Sequence, residues 1–263
     1  MLALPLYDDN PRTRLPVVTA GLIAACSVVF LWQLGLGESA SEDASFSYGM
    51  VPAVLFGYAE LPASLHAVSP WATLITSMFL HGGIVHLLGN MLYLWIFGKG
   101  VEAALGPARF LVLYLLCGVA AALTQALTAP TAEVPMIGAS GAIAGVLGAY
   151  LVLHPRANVV VLVWIIIFVR LISLPAVLLL GLWFALQLLS ALSMDPGEPG
   201  VAFWAHVGGF VVGLALVFVI RPRHVALMQP RRTVPFAAAP RPRSLGAGSV
   251  PSVGGQDRQS RWP

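Results

Sequence analysis

Residues 201–220 read VAFWAHVGGFVVGLALVFVI, an apolar run in which His206 is the only ionisable side chain. A helix of about 20 apolar residues is long enough to cross the hydrocarbon core of a bilayer. Hydrophobic residues make up 58% of the chain and charged residues only 10%, whereas a soluble domain carries about 25% charged residues. The composition therefore excludes an ordinary soluble domain and indicates a membrane protein.

Five further apolar runs complete a prediction of six membrane spans in an all-α, polytopic helix bundle. The predicted spans are Val17–Leu36, Gly82–Phe97, Phe110–Leu127, Gly138–Leu153, Leu174–Leu192 and Val201–Ile220. The fourth run is short and begins with glycine, which fits a helix that starts below the membrane surface among protein and water. Pro52, Pro62 and Pro70 interrupt the stretch after the first span, so a long outer loop with short helices is predicted at about 37–81.

Basic residues alternate with acidic residues from one connection to the next. The 14 Lys and Arg residues are Arg12, Arg14, Lys99, Arg109, Arg156, Arg170 and eight in the tail that begins at Arg221. The other connections carry Glu38, Glu42, Asp43, Glu60, Glu133, Asp195 and Glu198 instead. The positive-inside rule therefore predicts that both tails are cytoplasmic, which an even number of spans satisfies.

Three segments follow from these patterns: an N-terminal tail at 1–16, a membrane domain at 17–221, and a C-terminal tail at 222–263. The first tail is polar and Pro-rich and does not read as a cleavable signal peptide. The second is rich in Pro, Gly, Ser and Arg, which predicts disorder. Its charge suits attraction to anionic lipid, although a solvated tail without a specific role fits equally well. The apolar, β-branched run at 159–169 is either an interfacial segment or an extension of the fifth helix.

Strongly polar side chains inside a bilayer are costly and need a reason. The notable ones here are His86, Asn90, Ser140 and His206. The second, fourth and sixth spans all run from outside to inside, and these residues lie in the first turns of those spans. They are therefore expected at one depth near the outer face, with His86 and Asn90 on a common helix face.

Ser140 and His206 both lie among small residues, within Gly138–Ala142 and Ala205–Gly209. Taken singly, the serine is better explained by helix packing and the histidine by a structural hydrogen bond. At matching depth on two smooth helices they form a candidate nucleophile and base. The helix start also offers free N–H groups to an oxyanion.

The sequence lacks the residues that aspartyl proteases, zinc proteases and cofactor sites require. The spans contain no Asp or Glu, and Glu102 lies just beyond the cytoplasmic end of the second, so a Ser–His dyad rather than a triad is predicted. Neither paired aspartates nor a His-Glu-x-x-His helix occurs, and neither a metal nor another cofactor is predicted. Gln125 and Gln187 are expected to make hydrogen bonds between helices.

These residues resemble the rhomboid family of intramembrane serine proteases over most of the chain, from about Pro5 to Arg223. The resemblance lies in Asp8–Pro11, His81–Met91, Gly106–Phe110, Gly138–Ile143 and Ala205–Gly209. It implies that Ser140 is the nucleophile and His206 the general base and acid. His86, Asn90 and the N–H of Ser140 match the oxyanion site. Ala144 departs from the family, which often has an aromatic residue there, stacked on the catalytic imidazole.

The resemblance implies an endopeptidase that cleaves single-span transmembrane proteins near their outer ends, with membrane lipid but no nucleic acid as a further partner. The expected location is a bacterial inner membrane. Two other hypotheses are a rhomboid-like pseudoenzyme that binds membrane proteins without cutting them, and a transporter or channel. Retention of both Ser140 and His206 disfavours the first, and polar groups at the outer end alone disfavour the second. The Pro- and Gly-rich connection at 195–200 is either a mobile cap over the site or an ordinary turn.

Overall fold

The computed structural model describes residues 2–10, 15–165, 168–195, 197 and 200–230. These residues contain ten α-helices and three β-strands, joined by loops and shorter helical turns. The helices are α1 (Val17–Leu36), α2 (Glu38–Tyr48), α3 (Pro52–Leu55), α4 (Thr73–Thr76), α5 (Ile84–Tyr93), α6 (Lys99–Leu105), α7 (Pro107–Thr128), α8 (Ser140–Leu153), α9 (Ala176–Ser193) and α10 (Phe203–Ile220). The strands are β1 (Leu2–Asp8), β2 (Asn158–Ile165) and β3 (Phe168–Pro175).

Five helical segments of the described chain are long and apolar enough to cross a membrane, which confirms the predicted helical, polytopic membrane class. Four of them are α1, α7, α9 and α10. The fifth runs from Ile84 to Leu105, where a π-helical turn at Leu94–Gly98 joins α5 to α6. The fourth predicted span forms the shorter apolar helix α8, of 14 residues.

The short helix α8 is the buried centre of the bundle. All residues from 141 to 150 are buried, and α8 packs against both α7 and α10, which also contact each other. Glycines make this possible, since a Cβ at Gly213 would overlap the backbone of Gly145, and one at Gly148 would overlap the carbonyl of Phe210. Two helices with such smooth faces approach each other closely, and this close approach sets the distance between side chains on α8 and α10.

The long connection between α1 and α5 contains α2, α3 and α4 and is tied to the segment that precedes α8. Met50 and Met136 exchange two backbone hydrogen bonds, of 3.0 and 2.8 Å. The N–H of Gly138 donates to the carbonyl of Ser77 at 2.9 Å. These bonds hold the entry to α8, and with it the position of Ser140.

A three-stranded antiparallel sheet, in the order β1-β2-β3, joins the N-terminal residues to the run at 159–169. Residues 1–16 were predicted as a tail, but β1 pairs with β2, with Leu4 opposite Leu162. Of the two alternatives for the run at 159–169, an extension of the fifth helix does not occur, because the described residues of the run lie in β2 and β3. Its β-branched residues favour strands, and the Asp9 carboxylate secures the pairing by accepting bonds of 2.8 and 2.9 Å from the backbone and side chain of Asn158.

The chain beyond α10 turns back onto the end of α8. The N–H groups of Met228 and Gln229 donate to the carbonyls of Val152 and Leu153, both at 2.9 Å. The prediction of disorder from residue 222 therefore began the tail too early, since these residues satisfy carbonyls that a helix end leaves open. The remainder of the predicted tail, 231–263, lies outside the described residues.

Candidate active site

The start of α8 is shaped by Gly138, which presents Ser140. Gly138 has φ +121°, a conformation that L side chains rarely adopt. A Cβ on it would also lie 2.8 Å from the ring of His86. Glycine therefore serves two purposes, since it permits the turn into α8 and leaves room for the imidazole of His86. Ser140, two residues later, is half-buried at the first turn of the helix.

Ser140 and His206 meet across the interface between α8 and α10. Oγ of Ser140 lies 2.8 Å from Nε2 of His206, within hydrogen-bond distance. His206 is 9% exposed, so the contact is shielded from bulk solvent. The sequence predicts that these two side chains lie at one depth, and the structure brings them together.

The other edge of the His206 ring contacts α9. Nδ1 of His206 lies 2.7 Å from Oε1 of Gln187. The ring of Trp183 lies against the same imidazole, with 6.0 Å between centroids and 35° between planes. Trp183 and Gln187 are four residues apart and therefore share a face of α9. Ala144, where an aromatic residue was expected from the family pattern, is fully buried, and Trp183 supplies an aromatic ring from another helix.

His86 and Asn90 lie beside the start of α8, on one face of α5. His86 is exposed, with its ring next to Gly138. Asn90 is 7% exposed, and its side-chain Nδ2 has no hydrogen-bond partner among the described residues. That nitrogen lies 3.8 Å from where a Cβ on Gly138 would be. An unpaired buried amide is costly, so this N–H₂ group beside Gly138, near the start of α8, is available to an oxygen of a ligand.

His81 is a buried neighbour of His86, with 5.2 Å between ring centroids. Burial first, and the nearby His86 second, lower the pKa of His81 to about 4, although a bond to the Phe79 carbonyl acts in the opposite direction. His81 is therefore neutral at neutral pH and adds no positive charge to the site.

A cavity of about 600 Å³ opens in front of Ser140 and His206. Its lining includes the polar residue His86 and the apolar residues Met136, Ile137 and Phe203. A cavity of that volume accommodates a ligand or a short extended segment of peptide. Asp195, Gly197 and Gly200 of the connection at 195–200 also line the cavity, but residues 196, 198 and 199 lie outside the described part of the chain.

Gln125 lies at the contact between α7 and α10. Oε1 of Gln125 accepts a bond of 3.3 Å from the N–H of Ala205, a helix–helix contact of the predicted kind. In the part of the chain that the structure describes, no three His, Cys, Asp or Glu side chains lie close enough together to hold a metal ion.

Taken together, these features define an integral membrane protein of several helices with a serine–histidine pair in a cavity. The Rhomboid domain matches residues 68–223, more than half of the chain. The chain therefore belongs to the rhomboid family.

Individual relatives match shorter regions. The chain is 44% identical to Rhomboid protease GluP of Bacillus subtilis (strain 168) over 98 residues, which is 37% of this chain and 18% of that protein. It is 34% identical to RHOMBOID-like protein 4 of Arabidopsis thaliana over 154 residues, or 57% of this chain and 35% of the relative. With RHOMBOID-like protein 1 of the same plant it shares 31% identity over 187 residues, or 69% and 43%. The chain spans less than half the length of these relatives.

Proposed function

We propose that this chain is an intramembrane serine endopeptidase that cleaves transmembrane proteins near their outer ends with Ser140 and His206. The observation that carries the proposal is the 2.8 Å contact between a hydroxyl and an imidazole on two different helices. Membership of the rhomboid family and the name of the bacterial relative, a rhomboid protease, support the same reaction class.

The proposed reaction begins when Nε2 of a neutral His206 takes the proton of Ser140 as Oγ attacks the carbonyl carbon of a peptide bond. The imidazolium then donates that proton to the leaving amine, and the C–N bond breaks to leave an acyl ester on Ser140. A water molecule, deprotonated by His206, attacks the ester, and the proton returns to Oγ as the acid product leaves. Each proton that His206 accepts is given back, so the dyad is unchanged after one turnover.

The oxyanion that forms in each half of the reaction needs donors next to Ser140. In the proposal these are the backbone N–H of Ser140, the side-chain amide of Asn90 and the imidazole of His86. The N–H groups at the first turn of α8 have no acceptor within the helix and carry positive potential, which also favours the oxyanion. The unpaired Nδ2 of Asn90 supports its assignment to this role.

Removing the Asn90 donor is expected to slow the chemical step more than binding. Asn90→Ala and the isosteric Asn90→Asp both lack the N–H₂ group, so kcat is expected to fall about 10²–10³-fold with little change in KM. The measurement is steady-state cleavage of a fluorogenic transmembrane substrate in liposomes, with thermal unfolding to verify that both variants fold. A kcat within a few-fold of the unmodified protein for both variants would remove Asn90 from the oxyanion site.

The proposed substrates are single-span membrane proteins whose helix unwinds easily at the cut. An intact helix pairs its carbonyl groups with its own N–H groups, so a peptide bond reaches Ser140 only after local unwinding. We place the chain in a bacterial cell membrane, and the distribution of Lys and Arg favours an orientation with both termini in the cytoplasm. The start of α8, and with it Ser140, then faces the outer side.

The decisive experiment reconstitutes the purified full chain in liposomes with a panel of single-span substrates. Expected are two products from at least one substrate, with the cut mapped by mass spectrometry near the outer end of the span. Binding of substrates without any product across the panel would favour a non-cleaving, rhomboid-like binding protein and would contradict the protease. Solute flux without cleavage would favour a transporter.

A further inference from the structure

We propose that Gln187 is a positioning residue that holds His206 in the tautomer required for proton transfer from Ser140, an inference that deepens the proposed protease function and rests on it. The side chain of Gln187 extends from α9 to α10 and contacts the edge of the imidazole opposite to the serine. It does not touch the reacting atoms, so its effect passes through His206.

The two contacts of the imidazole constrain where its proton lies. A neutral imidazole has one N–H donor and one acceptor nitrogen. The atom of Gln187 that faces Nδ1 at 2.7 Å is the carbonyl oxygen Oε1, which only accepts. Nδ1 must therefore carry the proton, and Nε2 keeps its lone pair. That lone pair is directed at Oγ of Ser140, 2.8 Å away, where a general base needs it.

In other serine hydrolases a carboxylate does this work, by holding the base in the correct tautomer and orientation. The two described partners of the His206 ring nitrogens are Ser140 and Gln187. An amide carbonyl orients the ring in the same way without placing a negative charge on a membrane-spanning helix, where ionised side chains are costly. The uncharged amide of Gln187 is therefore better suited than a carboxylate to orient His206 within a bilayer.

The position of Gln187 is itself fixed by packing between α9 and α10. The ring of Phe210 stacks on Phe184, with 4.5 Å between centroids and 21° between planes, and also contacts Trp183. Trp183 in turn lies against His206, one helical turn before Gln187. The same face of α9 thus limits both rotation of the imidazole and the position of the amide.

Kinetics of three variants provide the first test. Gln187→Leu has a similar size but lacks the acceptor, so kcat is expected to fall roughly 10²-fold with KM little changed. A substitution that forces the imidazole into the wrong tautomer costs about 10⁴-fold in kcat, and leucine is expected to cost less because it favours neither tautomer. Gln187→Glu offers only acceptor oxygens once its carboxyl group is ionised, so its kcat is expected to recover as the pH is raised, whereas that of Gln187→Leu is not. The matched control is Gln33→Leu, the same change at a buried amide that bonds the backbone N–H of His81. If Gln187→Leu keeps full kcat, or if Gln187→Glu stays as slow as Gln187→Leu at every pH at which the protein is folded, the positioning role is overturned.

The tautomer gives a second readout that does not need activity. In the chain labelled with ¹⁵N-histidine, which has six His residues, the His206 signals are identified by their loss in a His206→Asn variant. Protonated Nδ1 and unprotonated Nε2 are expected in the unmodified chain, and a mixture of tautomers in Gln187→Leu. A proton on Nε2 in the unmodified chain would overturn the inference. If the chain holds the expected tautomer but cleaves no substrate, the protease proposal fails and the assignment of Gln187 as the partner of Nδ1 stands.

Discussion

Replacing Ser140 by alanine is expected to abolish cleavage of every transmembrane substrate while the chain stays folded. The substitution removes the oxygen that attacks the peptide bond, and in a serine protease the loss of the nucleophile lowers kcat by roughly 10⁶-fold. His206 then has no proton to accept, so the residual binding of substrate in the cavity leads to no product. The measurement is gel-based cleavage in liposomes together with covalent labelling by a fluorophosphonate probe, both of which are expected to disappear.

The matched control for this variant is Ser27→Ala on α1. Oγ of Ser27 donates to the carbonyl of Ile23 at 2.8 Å, a bond within its own helix, so the same chemical change there is expected to leave cleavage unaffected. Unaltered thermal unfolding of both variants would separate loss of chemistry from loss of fold. Cleavage by Ser140→Ala at the rate of the unmodified chain would contradict the assignment of the nucleophile.

A single methyl group at Gly209 is expected to impair both the fold and the reaction. A Cβ at this position would overlap the backbone carbonyl of Gly141, the residue next to the proposed nucleophile. Gly209→Ala must therefore push α10 away from α8, and overpacking of a close-packed core costs about 1–3 kcal/mol of unfolding free energy. The same displacement lengthens the Ser140–His206 contact, and a misplacement of about 1 Å is enough to slow a reaction about 10²-fold.

Thermal unfolding and kcat of Gly209→Ala are to be compared with those of Gly181→Ala on α9. A Cβ at Gly181 would meet no atom within 4 Å, so the control replaces a helical glycine in open space. It is expected to retain both the midpoint of unfolding and activity, with a small gain in helix propensity. Equal behaviour of the two variants would mean that the smooth face of α10 does not set the geometry of the dyad.

The transmembrane helices could be predicted from sequence because a span leaves a long, uninterrupted signal, as in Val17–Leu36. The meeting of Ser140 with His206 could be predicted as well, since the direction of each span fixes the depth of its first turn. The sheet was missed for a physical reason. The run at 159–169 is apolar throughout and lacks the alternation that marks a half-buried strand, and its partner β1 lies about 150 residues away in sequence with Pro5 in its middle.

For Gln187, the sequence predicts the kind of contact but not the partner. Its position in a span predicts a hydrogen bond to another helix, and the structure contains one. Hydropathy does not reveal which face of α9 meets α10, so the partner could not be named from sequence. The spacing of Trp183 and Gln187 by one helical turn places them on one face of α9. That spacing identifies His206 as their partner only when the imidazole is known to lie beside that face.

The shortness of α8 has a consequence for where a substrate would be cut. Fourteen residues of helix measure about 21 Å, whereas the hydrocarbon layer is about 30 Å thick. The far end of α8 is hydrogen-bonded to residues 228 and 229, so the helix holds the Ser140 hydroxyl, at its other end, at a fixed depth. In the proposed protease the scissile bond is then selected by its depth in the lipid, so that unrelated sequences are severed at one level.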